Sequence, residues 1–371
     1  MAQANIDAAD VQGEPVRALA ARYYTDQAIF DAEKERIFFR TWQFACHASK
    51  LRKPGDYTVF ELFDQSLLLL CGADEEIRAF YNVCQHRAHE LLSGDGNVPN
   101  IVCPYHAWTY GIDGRLKRAR NSAKVADFDV SAICLSQVRV EDFCGFLFVN
   151  LDLNAEPLRD SFPGVEDQLR AFVPDIDRLV PVKWVPVAEK CNWKVTVENY
   201  NECYHCRIVH PTFANGVIDP TSYNVMPQGR CLRHTTRAAN LDSMTYQIDA
   251  TANPHATDYS SWFLWPAFSF QVYPGNLLNT YHWRPLGPAS TMVYRGWFAP
   301  EGAPSETVLK LAEQDRDTTV AEDVSLVESV QRGLMSDGYR AGPLVIDPQF
   351  GVDSEHSVLA LKTWVLEALA D

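Results

Sequence analysis

Two short loops carry the strongest chemical signal in this chain. Cys84-Gln85-His86 is followed, after sixteen residues, by Cys103-Pro104-Tyr105-His106. Each loop offers one thiolate and one imidazole. A [2Fe–2S] centre with two thiolates on one iron and two imidazoles on the other uses this set, and its imidazoles raise the potential at which the cluster passes single electrons. A zinc site uses the same ligand types, but usually with cysteines paired in one C-x-x-C unit and histidines in another. Here each loop is mixed and the first is a tight C-x-H, which favours the iron–sulfur reading. Tyr105, Trp108 and Tyr110 supply aromatic cover, and Gly111 to Gly114 suit a hairpin beneath. His89 reads as a hydrogen-bonded or surface histidine.

A second constellation lies in Glu198-Asn199-Tyr200-Asn201-Glu202-Cys203-Tyr204-His205 and His210-Pro211. On a helix Glu198, Glu202 and His205 would share a face through i+4 and i+3 steps. His210, five residues past His205, would not, so the helix must end or widen between them, and Pro211 suits a stop. Two histidines so placed suit two corners of a facial 2-His-1-carboxylate iron site, which keeps positions open for dioxygen. The third ligand must come from elsewhere. A helical stretch over 318–334 offers Glu322, Asp323 and Glu328, and spacing does not choose among them. Cys203 and Cys206 flank His205 and read as packing residues.

The elements that must position these groups fall into two kinds. Residues 15–40 read as helix, with Thr25 and Asp26 as caps between two segments. From Trp42 to Asn150 the pattern is all-β: aromatic and β-branched runs at 57–63, 67–71, 78–83 and 146–150, with turn residues at Gly55-Asp56, Gly72 and Asp113-Gly114. After a polar linker, residues 161–371 mix helical patterns near 161–172, 191–206, 304–335 and 354–370 with strand-like runs at 181–189, 261–273, 277–285 and 291–298. The expected fold class is α+β: an all-β unit, then an antiparallel sheet flanked by helices. The expected division is 1–41, a helical segment packing on the catalytic domain; 42–155, the cluster domain; and 156–371, the catalytic domain.

Composition narrows the function. The chain has 371 residues, 47% hydrophobic and 22% charged, with a formal net charge of -15. This is a globular composition, and its acidity argues against a nucleic-acid partner, because phosphate binding needs a basic face. Met1 to Asp10 lack a basic and an apolar region, and no apolar run is long enough to span a bilayer, so a cytoplasmic protein with no membrane association is expected. The ten cysteines are then expected to be mostly reduced.

At these residues the sequence resembles the α-subunits of Rieske non-haem iron oxygenases, over nearly its whole length. The likeness runs through Tyr23-Tyr24-Thr25, Glu35-Arg36-Ile37-Phe38, Trp42, Pro54-Gly55-Asp56-Tyr57, Tyr81-Asn82-Val83-Cys84, Asn192-Trp193-Lys194, Glu198-Asn199-Tyr200 and Cys203-Tyr204-His205. Leu326 to Leu334 with Gly338-Tyr339 is especially similar to the carnitine, glycine betaine and choline monooxygenase group. The resemblance implies that Cys84, His86, Cys103 and His106 hold the [2Fe–2S] cluster and that His205, His210 and Asp323 hold a mononuclear Fe(II). It implies that Glu202 bridges that iron to a neighbouring subunit's cluster in a homotrimer. The family's first loop usually reads C-P-H-R-G, whereas here it is Cys84-Gln85-His86-Arg87-Ala88, so a difference in the cluster's hydrogen bonds and potential is expected.

The chemistry implied is O2-dependent hydroxylation of a small molecule, with N-demethylation or C–N cleavage of a quaternary ammonium compound. The alternative is an aromatic-ring hydroxylating oxygenase, and a simple Rieske electron carrier is a third. No G-x-G-x-x-G follows a strand, so electrons are expected from a separate NAD(P)H-dependent flavin/iron–sulfur reductase. The segment 262–270 is rich in rings. Trp262, Trp265, Phe268 and Phe270, with Tyr281, Trp283 and Trp297 further on, form either a sheet core or a cage for a quaternary ammonium group.

Overall fold

A computed structural model describes residues 15–370 except 220, 239, 303 and 304. The first fourteen residues of the expected N-terminal segment, and residue 304 at the start of one helical pattern, lie outside the described residues. The chain forms two compact units, one of residues 39–158 and one of the chain before and after it.

In the 39–158 unit the strands are β1 (Gln43–His47), β2 (Asp56–Leu62), β3 (Gln65–Cys71), β4 (Ile77–Tyr81), β5 (Asp95–Asn97), β6 (Ile101–Val102), β7 (Thr109–Tyr110), β8 (Leu116–Arg118), β9 (Gln137–Phe143) and β10 (Phe146–Asn150). They make a seven-stranded sheet in the order β1-β10-β9-β4-β3-β2-β5 and a small sheet β6-β7-β8. The unbroken apolar run in β3 follows from burial on both faces. Leu68 and Leu70 join Phe80 in a core that includes Cys84 and Cys103. Leu67 and Leu69 point the other way, into a second core with Phe60, Ala79 and Leu147. All four leucines are at most 1% exposed, and each contributes about 1.5–3 kcal/mol by its burial. The cysteine loops therefore sit on a rigid floor.

The other unit opens with α1 (Arg22–Thr25) and α2 (Gln27–Glu33), which runs on into a wider π turn over Lys34–Phe38. The helix expected from residue 15 begins only at Arg22. Asp26 caps α2 by accepting from the Ala28 amide at 2.8 Å. Then come α3 (Leu158–Ser161), which starts at the unit boundary, α4 (Val165–Phe172), β11 (Leu179–Glu189), α5 (Trp193–Asn201), α6 (Cys206–Val209), α7 (Pro211–Gly216), β12 (Asn224–Gln228), β13 (Cys231–Arg237), β14 (Asp258–Leu264), β15 (Phe268–Tyr273), β16 (Leu277–Gly287), β17 (Ser290–Pro300), α8 (Glu306–Asp315), α9 (Ala321–Leu334) and α10 (His356–Ala370). The sheet order is β11-β17-β16-β15-β14-β13-β12, antiparallel throughout. The expected fold class is the one observed. β12 and β13 escaped the sequence reading because Asn224, Pro227 and Gln228 interrupt the one and Arg233, His234, Thr235 and Thr236 the other.

Helix α5 positions the second site. Asn192 caps it, its side chain accepting from the Lys194 amide at 3.0 Å, a contribution of about 1 kcal/mol. Trp193 Nε1 donates to Glu33 at 2.8 Å, and the buried Lys194 ammonium pairs with the same carboxylate at 2.6 Å.

Candidate active site: two metal centres

The two cysteine–histidine loops are conformational copies. The Cys84 amide donates to the His89 carbonyl and the Cys103 amide to the Trp108 carbonyl, at 2.9 and 2.8 Å. The Ala88 and Ala107 amides donate to the Cys84 and Cys103 carbonyls, both at 3.0 Å. Ala88 and Ala107 close these loops at φ 55° and 57°, the left-handed region that favours glycine. The departure of Ala88 from the family's glycine therefore leaves the loop shape intact.

Both thiols are buried, Cys84 at 3% and Cys103 at 2%. The imidazoles lie further out, His86 exposed and His106 half-buried, with ring centres 4.6 Å apart. Trp108 stacks on His86 at 4.6 Å. His106 Nδ1 is buried and has no partner among the described residues. A buried nitrogen of that kind lacks a partner that a metal could supply, and two buried thiols with two imidazoles are a donor set that fits a [2Fe–2S] cluster. Tyr110 hydroxyl lies 3.3 Å from Cys84 Sγ and accepts from the Gln85 amide at 3.0 Å. A hydrogen bond to a ligand sulfur is one way a protein tunes a cluster's potential.

The second site differs from the helical expectation. Helix α5 stops at Asn201, and Glu202 is extended at φ -124°, ψ 154°. Glu198, Glu202 and His205 therefore do not share one helical face. Instead the Glu202 carboxylate folds forward, accepting from the Tyr204 amide at 2.5 Å and from the His205 amide at 3.3 Å. The break between His205 and His210 is as expected: α6 ends before His210, and Pro211 opens α7. The Cys203–Cys206 pair corrects the expectation of free thiols, since the two are joined as a disulfide across this turn, Cα atoms 4.9 Å apart. That separation is within the range a disulfide spans.

His205, His210 and Asp323 converge. The two Nε2 atoms are 3.2 Å apart, and Asp323 Oδ1 lies 3.5 Å from the first and 3.0 Å from the second. The other ring nitrogens are held by carboxylates: His205 Nδ1 by Glu202 at 2.6 Å, His210 Nδ1 by Glu322 at 2.7 Å. With each Nδ1–H donating outward, both Nε2 lone pairs point at each other and at a carboxylate. Such a cluster of acceptors calls for positive charge between them, from a proton or a metal ion, and two imidazoles with one carboxylate fit iron. Burial works to raise the Asp323 carboxyl, but the two histidines, which donate to it from Nε2 whenever they carry a second proton, prevail and hold it below the usual range. Asn199 Nδ2 donates to Asp323 at 3.3 Å. Asn199 and the orienting role of Glu322 were missed from sequence, because each acts through a contact far along the chain. Glu328 is not at this site; it accepts from the Lys190 amide at 3.2 Å.

Asp323 forms part of the wall of a cavity of about 360 Å³, counting its open mouth, lined also by Glu189, Asn199, Tyr200, Tyr281, Trp283 and Arg295. The Tyr200, Tyr281 and Trp283 ring centres lie 4.7 to 5.2 Å from one another. Burial, with the nearby charges of Asp323 and Glu328, pushes the Glu189 carboxyl up to about 7. Trp262, Trp265, Phe268 and Phe270 are not among the lining residues. Cross-strand pairing sets Trp262 opposite Phe270, Phe270 opposite Thr280, and Phe268 opposite His282, one residue out of step with Tyr281 and Trp283. These three rings thus face away from the cavity, and Trp265 lies in the turn between β14 and β15. All four are buried core.

Comparison with known proteins gives the family. Residues 41–129 match the Rieske [2Fe-2S] domain, and residues 176–371 match the ring hydroxylating alpha subunit (catalytic domain). The chain is 35% identical to the carnitine monooxygenase oxygenase subunit of Escherichia coli (strain K12), covering 95% of this chain and 94% of that one. It is 29% identical to the glycine betaine monooxygenase oxygenase subunit of Chromohalobacter salexigens, over 90% and 83%. It superposes on the quaternary ammonium Rieske monooxygenase CntA in complex with L-carnitine with a TM-score of 0.84 at 33% identity, covering 95% and 96%. The chain belongs to the Rieske non-haem iron oxygenases, as an oxygenase subunit with a [2Fe–2S] cluster and a mononuclear iron.

Proposed function

We propose that this oxygenase acts on a small quaternary ammonium compound of the betaine, carnitine or choline kind, and that Cys84, His86, Cys103 and His106 hold its cluster while His205, His210 and Asp323 hold its iron. The observation that carries the substrate is the cavity beside Asp323: two electron-rich rings, Tyr200 and Trp283, with Tyr281 stacked against Trp283 and the carboxyl of Glu189 beside them. Ring faces attract a quaternary ammonium by about 2 kcal/mol or more where water is excluded. When bound, the cluster supplies single electrons and the iron supplies the activation of dioxygen. The chain's own residues do the positioning. Glu202 and Glu322 fix the tautomers of the two histidines, and Asn199 holds the Asp323 oxygen.

Electrons enter from a separate NAD(P)H-dependent reductase and cross between subunits of a homotrimer through Glu202. What supports this is the place of Glu202 on His205, beside the exposed Tyr204 (47%) and Ile208 (87%), apolar side chains that a neighbouring subunit would cover. The absence of a helix long and apolar enough to cross a membrane among the described residues accords with a cytoplasmic location.

The test is oxygen uptake by the iron-loaded protein with a surrogate reductase. L-carnitine, glycine betaine and choline are set against naphthalene and benzoate. Coupled uptake with trimethylamine or formaldehyde as product supports the reading. A cis-diol or phenol from the aromatic compounds, with no turnover of any quaternary amine, overturns it.

A further inference from the structure

One strip of the cavity sheet leaves buried N–H donors without partners among the described residues. Register pairs Trp283 with Val293, Tyr281 with Arg295 and Asn279 with Trp297 along β16 and β17, and alternation sets all six on the cavity face. The first four line the cavity. Arg295, Asn279 and Trp297 are each at most 1% exposed. Arg295 Nε, Trp297 Nε1 and both amide atoms of Asn279 have no hydrogen-bond partner among the described residues. Buried polar groups of native proteins are almost always paired, and a cluster left unpaired calls for an explanation. Three of these four atoms are N–H donors.

The guanidinium is fixed in place. Asp315 holds its Nη1, Gln271 lies 3.4 Å from its Nη2, and it stacks over Tyr281 at 3.8 Å. The Nε edge is the one left over. The Arg295–Asp315 pair is neutral as a unit, so the site attracts through directed donors and not through net charge. Away from Arg295 along the sheet, Glu189 lies opposite Thr291, four residues along β17, and Tyr200 packs on Trp283 at 4.9 Å. A cavity with an acidic, aromatic pole and a donor pole complements a zwitterion.

We propose that Arg295, with Asn279 and Trp297 beside it, forms the subsite for the carboxylate of a quaternary ammonium acid, so that the enzyme selects such zwitterions over choline-like alcohols. This rests on the quaternary-ammonium reading above and narrows it. The experiment is calorimetric titration of the anaerobic, iron-loaded protein with γ-butyrobetaine, its methyl ester, choline and benzoate. A hydrogen bond to a charged group lost to the ester weakens its binding about tenfold or more. In Trp297→Phe, and in the doubly substituted Arg295→Gln/Asp315→Asn, which keeps the buried pair neutral, the acid weakens while the ester is unchanged, so the acid-to-ester ratio falls toward one. Equal binding of acid, ester and choline to the native protein refutes the carboxylate subsite and leaves the quaternary-ammonium reading standing. So does an equal loss for acid and ester in both variants. Binding of benzoate with none of the quaternary compounds overturns both.

Discussion

Replacing Glu322 should loosen the iron without touching a ligand. Its carboxylate accepts from His210 Nδ1 at 2.7 Å, and His210 itself is only 3% exposed. That contact fixes the ring's rotation and keeps the proton off the nitrogen that faces Asp323. Loss of such a supporting carboxylate usually costs about 10- to 100-fold in metal affinity, or about 1.4–2.7 kcal/mol. Glu322 is 34% exposed, so water partly replaces it in an alanine variant, and the lower half of that range is expected. Glu322→Gln keeps an acceptor oxygen and should lose less than Glu322→Ala. The assay is anaerobic competition for iron against a chelator, with the visible absorption of the cluster as an internal control that must not change. Asp323→Ala should abolish iron retention, whereas Glu328→Gln, whose carboxylate serves the Lys190 amide, should retain it fully. Full iron affinity in Glu322→Ala, or a loss in Glu328→Gln as large as in Glu322→Ala, would refute the reasoning.

Other consequences concern separate parts of the molecule. Ala88→Gly relieves a left-handed alanine at φ 55° and should stabilise the cluster loop by about 1 kcal/mol, raising by about 2–4 °C the temperature at which the cluster's colour is lost; an unchanged or lower temperature counts against it. Burial and neighbouring carboxylates raise Glu189 from an ordinary 4.5 to about 7, so the folded protein holds a proton that the unfolded chain releases. That stability is complete below pH 4.5 and is lost as pH rises through 7, at up to about 1.4 kcal/mol per pH unit. Glu189→Gln should therefore gain on the native protein in denaturant titrations between pH 4.5 and 7, and parallel pH profiles would contradict the assignment. Glu202→Gln keeps an acceptor on His205 and should retain both metals while turnover falls at least about a hundredfold; undiminished steady-state oxygen uptake would remove Glu202 from the electron path.

The candidate metal-binding residues were legible only in part: the two copies of one loop and the two histidines on either side of a helix break show in their spacing, whereas spacing left Glu322, Asp323 and Glu328 open and the resemblance alone pointed to Asp323. Residues that act through distant partners were not legible. The Asn192-Trp193-Lys194 motif marks the resemblance, yet its two larger side chains serve to grip Glu33, a partner that no local pattern names. Among the aromatics the difficulty was parity. Segment 262–270 and the rings after it are equally apolar, and in a sheet buried on both faces ring density does not say which parity meets the site. What separates them is the packing of helices that lie elsewhere in the chain. Ser261 pairs with Gln271, Gln271 with Asn279, Ser269 with Tyr281 and Tyr281 with Arg295, so one face of the sheet carries buried hydroxyl, amide and guanidinium groups. The face of Trp262, Phe268 and Phe270 carries polar groups too, with Trp262 opposite Arg233, Phe270 opposite Thr280 and Phe268 opposite His282, so polarity does not choose between them. The choice is made by α5 and α9, which bring Asn199, Tyr200 and Asp323 to the cavity on one face. By that placement Tyr281 and Trp283 belong to the site and the tryptophan-rich run before them to the fold.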